Sequence, residues 1–175
     1  MIYEKQLREQ TVEYVAALML SAIRTAPKGR GRDTLDAAMA SPSDVEKIVN
    51  RMKEMAAEYD MAFLERDASN LLKSDALVLV ATRIESLGLK QCGFCGMQNC
   101  QQKNMSPEVP CAFNTIDLGI ALGSAVSVAT AHHIDNRIMF SVGLAVKELG
   151  LFGEDAKVIL GIPLSVSAKS PYFDR

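Results

Sequence analysis

An apolar repeat near the N-terminus is the first regular pattern in the chain. Its positions are spaced i, i+3, i+4, i+7 and i+8 and are filled by Val15, Leu18, Met19, Ala22 and Ile23. Because this spacing places side chains on one face of an α-helix, it predicts an amphipathic helix over residues 3–25. Ala26-Pro27 should end that helix, since proline cannot continue it.

A second helix is predicted by a stripe of apolar residues between Val45 and Tyr59. Ser43 lies just ahead of this stripe and Glu46 follows three residues later, which is the spacing of a capping box. In a capping box each of the two side chains accepts a hydrogen bond from a free backbone N–H group. We therefore expect the helix to begin at Ser43.

Three short apolar runs predict β-strands: Leu35–Ala40, Ala76–Thr82 and Lys157–Ile162. The middle run is continuous rather than alternating, which is typical of a strand buried on both faces. Pro163 should end the last strand, because proline has no N–H group for the sheet.

A helix rich in Gly, Ala and Ser is predicted to begin at Asn114 and Asp117. Residues 118–134 form the longest stretch without Asp, Glu, Lys or Arg, but its 17 residues fall short of the ~20 that span a bilayer. We therefore expect a buried helix and no membrane span. A further helix over residues 137–149 should end at Gly150.

The alternation of helices and strands favours a layered α/β or α+β domain, and 175 residues suit one domain spanning residues 1–175. A net charge of −2 and only 6% aromatic residues argue against a nucleic-acid-binding surface. No signal peptide is visible at the N-terminus, so we expect a cytoplasmic protein whose cysteines are kept reduced.

All four cysteines of the chain fall within twenty residues, at Cys92, Cys95, Cys100 and Cys111. Thiolates are the soft ligands that iron–sulfur clusters and zinc select, so this spacing predicts a metal centre. Gly93 and Gly96 each follow a cysteine, where positive φ angles would turn backbone N–H groups toward sulfur.

Three interpretations of the cysteines are open. Structural zinc usually takes two closely spaced pairs, whereas three close cysteines and one distant cysteine are more typical of a [4Fe-4S] cluster, which we therefore favour. Zinc is the second interpretation, and metal-free buried or redox-active thiols are the third.

The run Cys92-Gly-Phe-Cys95-Gly-x-x-x-Cys100 resembles small four-iron modules of anaerobic electron-transfer proteins. Four further segments extend the resemblance over most of the chain, to a prokaryotic family described as containing a ferredoxin domain: Arg24-Thr-Ala-Pro-Lys-Gly, Asp117-Leu-Gly-Ile-Ala-Leu-Gly-Ser-Ala, Asp135-Asn-Arg137 and Gly161-Ile-Pro-Leu-Ser. This resemblance implies an inserted cysteine-rich segment, residues 91–112, in a larger body.

The body is in turn distantly similar to flavin-dependent nitroreductases. Ala22 to Gly29, Asp117 to Ala131 and Gly161 to Pro163 match their Ala-Pro-Ser loop, central helix and Gly-Tyr-Pro strand. The resemblance implies an α+β sandwich with a mixed, mainly antiparallel sheet. It also implies a homodimer packed through long helices, with FMN as a possible cofactor at the interface.

Nitroreductases usually hold the flavin phosphate with an Arg-Ser-x-Arg segment upstream of the Ala-Pro-Ser loop, and no such segment is seen here. Substitute phosphate contacts are proposed from the cations Lys28, Arg30, Arg32 and Arg175. A solvated basic loop is the alternative for the first three.

Two functions follow. The first is an iron–sulfur oxidoreductase or electron carrier that acts on an unknown substrate or a redox partner protein, with or without the assistance of flavin. The second is a non-catalytic ligand-binding or regulatory module in which the cysteines form a structural zinc clip. Whether the chain is an enzyme is left open, since no catalytic grouping stands out.

Overall fold

The computed structural model describes residues 1–173 of the chain. Six α-helices and four β-strands lie within those residues. In chain order they are α1 Glu4–Thr25, β1 Leu35–Met39, α2 Pro42–Glu58, α3 Ala62–Leu71, β2 Ala76–Arg83, α4 Cys100–Asn104, α5 Ala112–Ala131, β3 Asp135–Asn136, α6 Phe140–Glu148 and β4 Ala156–Ser165.

The strands form one open sheet in the order β1-β2-β4-β3. All pairings among the described residues are antiparallel, so the parallel pair that a mixed sheet would contain is not found there. Two helices rather than one connect β1 to β2, which lets the chain return in the opposite direction instead of making a parallel crossover. The predicted α+β class is confirmed.

Helices cover both faces of the sheet. α1 and α5 pack on one face, and α2, α3 and α6 pack on the other. Successive residues of β2 alternate between these layers: Val78 and Val80 contact the first, Leu77 and Leu79 the second. The predicted burial of this strand on both faces is thereby confirmed.

α6 approaches β4 unusually closely at Gly143. A Cβ atom at this position would overlap the carbonyl oxygen of Ile159, so only glycine lets the helix backbone rest directly on the strand. Gly161 on β4 meets the side chain of Val142 in the same contact.

The start of α2 differs from the prediction. Ser41 is the N-cap residue, its Oγ atom accepts from the backbone N–H of Asp44 at 3.2 Å, and Pro42 is the first helical residue. The predicted capping box at Ser43 was therefore placed two residues too late. Proline at the first helical position needs no N–H partner, which allows the earlier start.

β4 also continues beyond its predicted end, through Pro163 to Ser165. Gly161 exchanges hydrogen bonds with Met139 on the β3 side of the strand, so Pro163, two residues on, faces the same side. The ladder there is interrupted between Asn136 and Met139. The missing N–H of the proline therefore leaves no hydrogen bond broken.

α5 begins at Ala112, not at the predicted Asn114, because Asn114 and Asp117 are buried inside the helix and bind other segments. Among the described helices, α5 is the one long and apolar enough to cross a membrane by length and composition. One of its faces, with Ala121 and Ala125, is buried against α1 and the sheet, as predicted, and the opposite face is exposed.

α3 and α4 were not predicted, and α6 begins at Phe140, three residues later than expected. α3 follows α2 after a turn of only three residues, in which Asp60 has a φ of 54°.

Candidate metal centre

The four cysteines converge from separate structural positions. Cys92 and Cys95 lie in the loop after β2, Cys100 is the first residue of α4, and Cys111 is the N-cap residue of α5. All four line a single cavity. The cavity belongs to the connection between β2 and α5, residues 84–111, which we call the cysteine segment.

The chemistry of this cavity suits a thiolate-bound metal group. All four cysteines are free thiols, and Cys111 is the most buried, with 7% of its surface exposed. Apolar side chains complete much of the wall, including Leu87, Leu89 and Phe113. Soft sulfur donors beside an apolar wall suit an iron–sulfur cluster or a zinc ion.

The side-chain positions do not choose between zinc and a cluster. Within residues 1–173, no three His, Cys, Asp or Glu side chains are placed to hold a single metal ion. Both the iron–sulfur and the zinc interpretation of the four cysteines stay predictions.

Glycine shapes the turn between the first two cysteines. Gly93 and Gly96 have φ angles of 80° and 84°, as the sequence predicted. The N–H group of Gly96, however, donates to the carbonyl of Gly93 at 2.9 Å and not to a sulfur atom. It closes the loop that carries Cys95.

A buried amide fixes the start of the cysteine segment. The Oδ1 atom of Asn114 accepts from the backbone N–H of Glu85 at 3.0 Å, and its Nδ2 group donates to Thr34 at 3.4 Å. Because Asn114 lies three residues after Cys111, this contact holds the first and last parts of the segment together. Phe94 stacks on Phe113, with ring centroids 5.9 Å apart, and covers one side.

The side chain of Lys28, one of the proposed phosphate contacts, folds back onto the C-terminal end of α1. Its Nζ atom donates to the carbonyls of Ile23, Arg24 and Ala26 at 2.8–2.9 Å and lies 3.9 Å from Asp33. An ammonium group has three N–H donors, so all of them are engaged at the C-terminal end of α1.

The other cations of the basic loop reach toward the cysteine segment. Arg30 donates to the carbonyls of Leu87 and Gly88 at 3.4 Å, and Arg32 pairs with Glu85 and donates to the carbonyl of Ser86. Both side chains stay exposed, so their role in phosphate binding remains a prediction. Arg175 lies outside the described residues.

Asp117 holds this loop on α5. Both of its carboxylate oxygens accept from the backbone N–H of Gly29, at 3.0 and 3.1 Å. The basic loop, α5 and the cysteine segment therefore meet at one corner of the molecule, a grouping that the sequence separation of 88 residues concealed.

Sequence comparison assigns the chain to a family. A family model described as "uncharacterized protein containing a ferredoxin domain" matches residues 108–175. An uncharacterized protein from Archaeoglobus fulgidus is 40% identical over 182 residues, covering 100% of this chain and 97% of that protein. The chain belongs to this ferredoxin-domain family. The matched region contains Cys111, while the three other cysteines precede it.

Comparison with solved structures shows the nitroreductase fold. The FMN-dependent nitroreductase NfnB from Mycobacterium smegmatis, in complex with NADPH, superposes with a TM-score of 0.60 at 11% identity, covering 89% of this chain and 78% of that one. A nitroreductase with bound FMN from Bacteroides fragilis gives 0.58 at 19%, covering 89% and 77%. The predicted nitroreductase-like sandwich is confirmed.

One charged residue of the centre was missed in the sequence. Lys103 lies on α4, three residues after Cys100, and lines the cavity with the cysteines. A spacing of three on a helix places two side chains on the same face, which was the available signal. It was missed because α4 itself was not predicted.

Proposed function

We propose that the chain is an iron–sulfur redox protein in which Cys92, Cys95, Cys100 and Cys111 hold a [4Fe-4S] cluster. The observation that carries this proposal is the convergence of four free thiols on one cavity from a loop and two helix starts. The ferredoxin-domain family and the nitroreductase fold support a redox role.

A cluster of this kind supplies one-electron transfer when it is bound. The chain contributes the four ligands, an apolar wall that limits water, and the Asn114 contact that joins the two ends of the segment. Phe94, 71% exposed beside two of the ligands, leaves the centre close to the surface, where a redox partner protein can approach. Reduced thiols suit a cytoplasmic setting.

Anaerobic purification tests the cluster. We expect a brown protein with about four iron atoms and about four inorganic sulfides per chain, whose visible absorbance bleaches under dithionite. A colourless protein that holds one zinc ion per chain under the same conditions would contradict the proposal and favour the structural zinc clip.

Variants assign the ligands. Each Cys→Ser substitution at the four positions should lower the bound iron strongly, since serine replaces a soft thiolate with a hydroxyl. Met105→Leu is the matched control, because Met105 lies in the same segment but is 81% exposed and does not line the cavity. Equal iron content in a serine variant and the control would remove that cysteine from the ligand set.

We propose FMN as a second cofactor, on the ground that structural relatives bind it. Lys28 does not fit the phosphate role, because its donors are engaged, which leaves Arg30 and Arg32 as candidates. Titration of FMN followed by fluorescence anisotropy tests the idea. Binding that weakens in Arg30→Gln/Arg32→Gln but not in the exposed control Lys5→Gln/Lys53→Gln supports it, and unchanged anisotropy with the unaltered chain removes it.

We further propose a homodimer formed through the layer of α1 and α5. Ile116 and Ile120, one helical turn apart on α5, are 43% and 41% exposed, and Tyr14 on α1 is also exposed. These exposed apolar side chains on one layer are the basis for placing the interface there. Ile116→Glu/Ile120→Glu should halve the mass measured by light scattering, while Leu72→Glu beyond the opposite layer should not. A monomeric unaltered chain would contradict the dimer.

A further inference from the structure

Lys103 is the one charged side chain among the described residues that line the cysteine cavity. Only 4% of its surface is exposed. Within residues 1–173 its ammonium group has no hydrogen-bond acceptor and no carboxylate partner, although the backbone of the same residue is bonded in α4. Every fully buried side-chain nitrogen and oxygen atom in these residues has a hydrogen-bond partner, so the Nζ atom of Lys103, which has none, keeps some contact with the open cavity or with water.

An ammonium group that is largely withdrawn from water without a partner is unfavourable, because it loses much of its hydration and gains no opposite charge in return. The cost disappears when an anionic group occupies the cavity beside it. Four thiolates bound to a [4Fe-4S] core give a centre with a net negative charge in both common oxidation states, and it becomes more negative by one unit on reduction.

We propose that Lys103 is the electrostatic partner of the thiolate-bound cluster and raises its reduction potential. Cys100 and Lys103 lie on the same face of α4, so the helix that supplies a ligand also supplies the balancing cation. A nearby positive charge favours the more negative, reduced state over the oxidised one. This inference rests on the proposed function of the same site.

Lys103→Met tests the inference by removing the charge while keeping a long, flexible side chain. Lys90→Met is the matched control, since Lys90 lies two residues before Cys92 but is exposed, and its charge is screened by water. Potentiometric titration followed by the visible and electron paramagnetic resonance spectra should show a more negative midpoint potential for Lys103→Met. Lys90→Met and Lys103→Arg should stay near the unaltered protein. Equal potentials for the two methionine variants would overturn the proposal.

Thermal unfolding of the metal-free protein gives a second readout. Without the metal we expect the cysteine segment to open and the ammonium group to be hydrated, so Lys103→Met should leave the melting temperature of the metal-free form unchanged while lowering the potential of the loaded form. A merely structural lysine would be needed in both forms, so a lowered melting temperature in the metal-free variant counts against the proposal.

Cluster assembly separates the remaining outcomes. If Lys103→Met no longer takes up iron, retention of iron by Lys103→Arg shows that charge is required, whereas loss in both variants shows a need for shape and overturns the inference. If the unaltered chain itself holds no iron, the proposed function fails. If the cluster is present but its potential does not change when Lys103 is replaced, this inference is overturned while the proposed function stands.

Discussion

The layered body and the cysteine segment are ordered in different ways. Residues such as Met19 and Met52 are fully buried in the two cores that flank the sheet. Within the described part of residues 84–111, by contrast, the five-residue α4 is the one regular element, and Phe94 and Met105 are largely exposed. The body has apolar burial to hold it, and the segment has little.

This difference indicates two sources of stability. Burial of apolar surface stabilises the body with or without a metal, because that driving force depends on area removed from water. We expect ligation of the proposed metal centre by the four cysteines to order the cysteine segment, since metal binding to a poorly packed loop is coupled to its folding. The two regions should therefore respond separately to perturbation.

Metal removal should give the largest effect, confined to the segment. Stripping the metal with ferricyanide and EDTA should accelerate tryptic cleavage within residues 84–111 by about 1,000-fold, because local opening loses the restraint of the ligands. The far-UV circular dichroism should barely change, since α4 contributes five helical residues. Unfolding of the whole chain on metal removal would contradict the idea that the body and the cysteine segment are stabilised independently.

Gly143→Ala should destabilise the body by about 3 kcal/mol, because the added methyl group overlaps the backbone of β4 and forces α6 away. Chemical denaturation measures the change. Gly123→Ala is the control: its site on α5 is open, and alanine should stabilise that helix by up to about 1 kcal/mol. Equal stability of the two variants would show that α6 moves without cost.

Asn114→Ala should weaken the contact between the regions by about 1–2 kcal/mol, because the partly buried N–H of Glu85 loses its acceptor. Asn114→Asp keeps the oxygen and should retain most of the contact. During a challenge with a chelator, the Asn114→Ala variant should lose iron markedly faster than the unaltered protein. Its midpoint of chemical unfolding should fall by a smaller fraction. If only the midpoint falls, Asn114 belongs to the body alone.

Tyr172 offers the smallest and most local test of the body. Burial raises the pKa of its phenol above the ordinary value, although its hydrogen bond to Ser74 at 2.9 Å opposes the shift. The unfolded chain therefore loses this proton first, and stability should fall as the pH rises above about 10.

At neutral pH, Tyr172→Phe should lower the free energy of unfolding by about 1 kcal/mol, because the hydrogen bond to Ser74 is lost. Melting temperatures measured between pH 9 and 12 should then show that this variant lacks the decline in stability with rising pH. The exposed Tyr14→Phe should behave like the unaltered protein. Iron content should stay constant in all three, and a change in iron would show that the two regions are coupled through this residue.

Local pattern determined much of the fold. The 3.6-residue repeat of α1 and the apolar run of β2 are written in consecutive residues, so both elements were predicted to within one residue. The ligand set of the proposed centre was also visible, because four cysteines in twenty residues need no tertiary information to stand out. The α+β class followed from the order of elements and from the family resemblance.

Tertiary structure decided what depends on contacts between distant residues. Asn114 and Asp117 look like helix caps in sequence, yet their side chains bind Glu85 and Gly29 because packing brings those backbone groups to α5. Lys28 and Lys103 are alike as sequence letters. In the folded chain Lys28 binds the carbonyl groups that end α1, whereas Lys103 lines the cysteine cavity. No local sequence pattern encodes these two positions, and they determine which groups each charge can interact with.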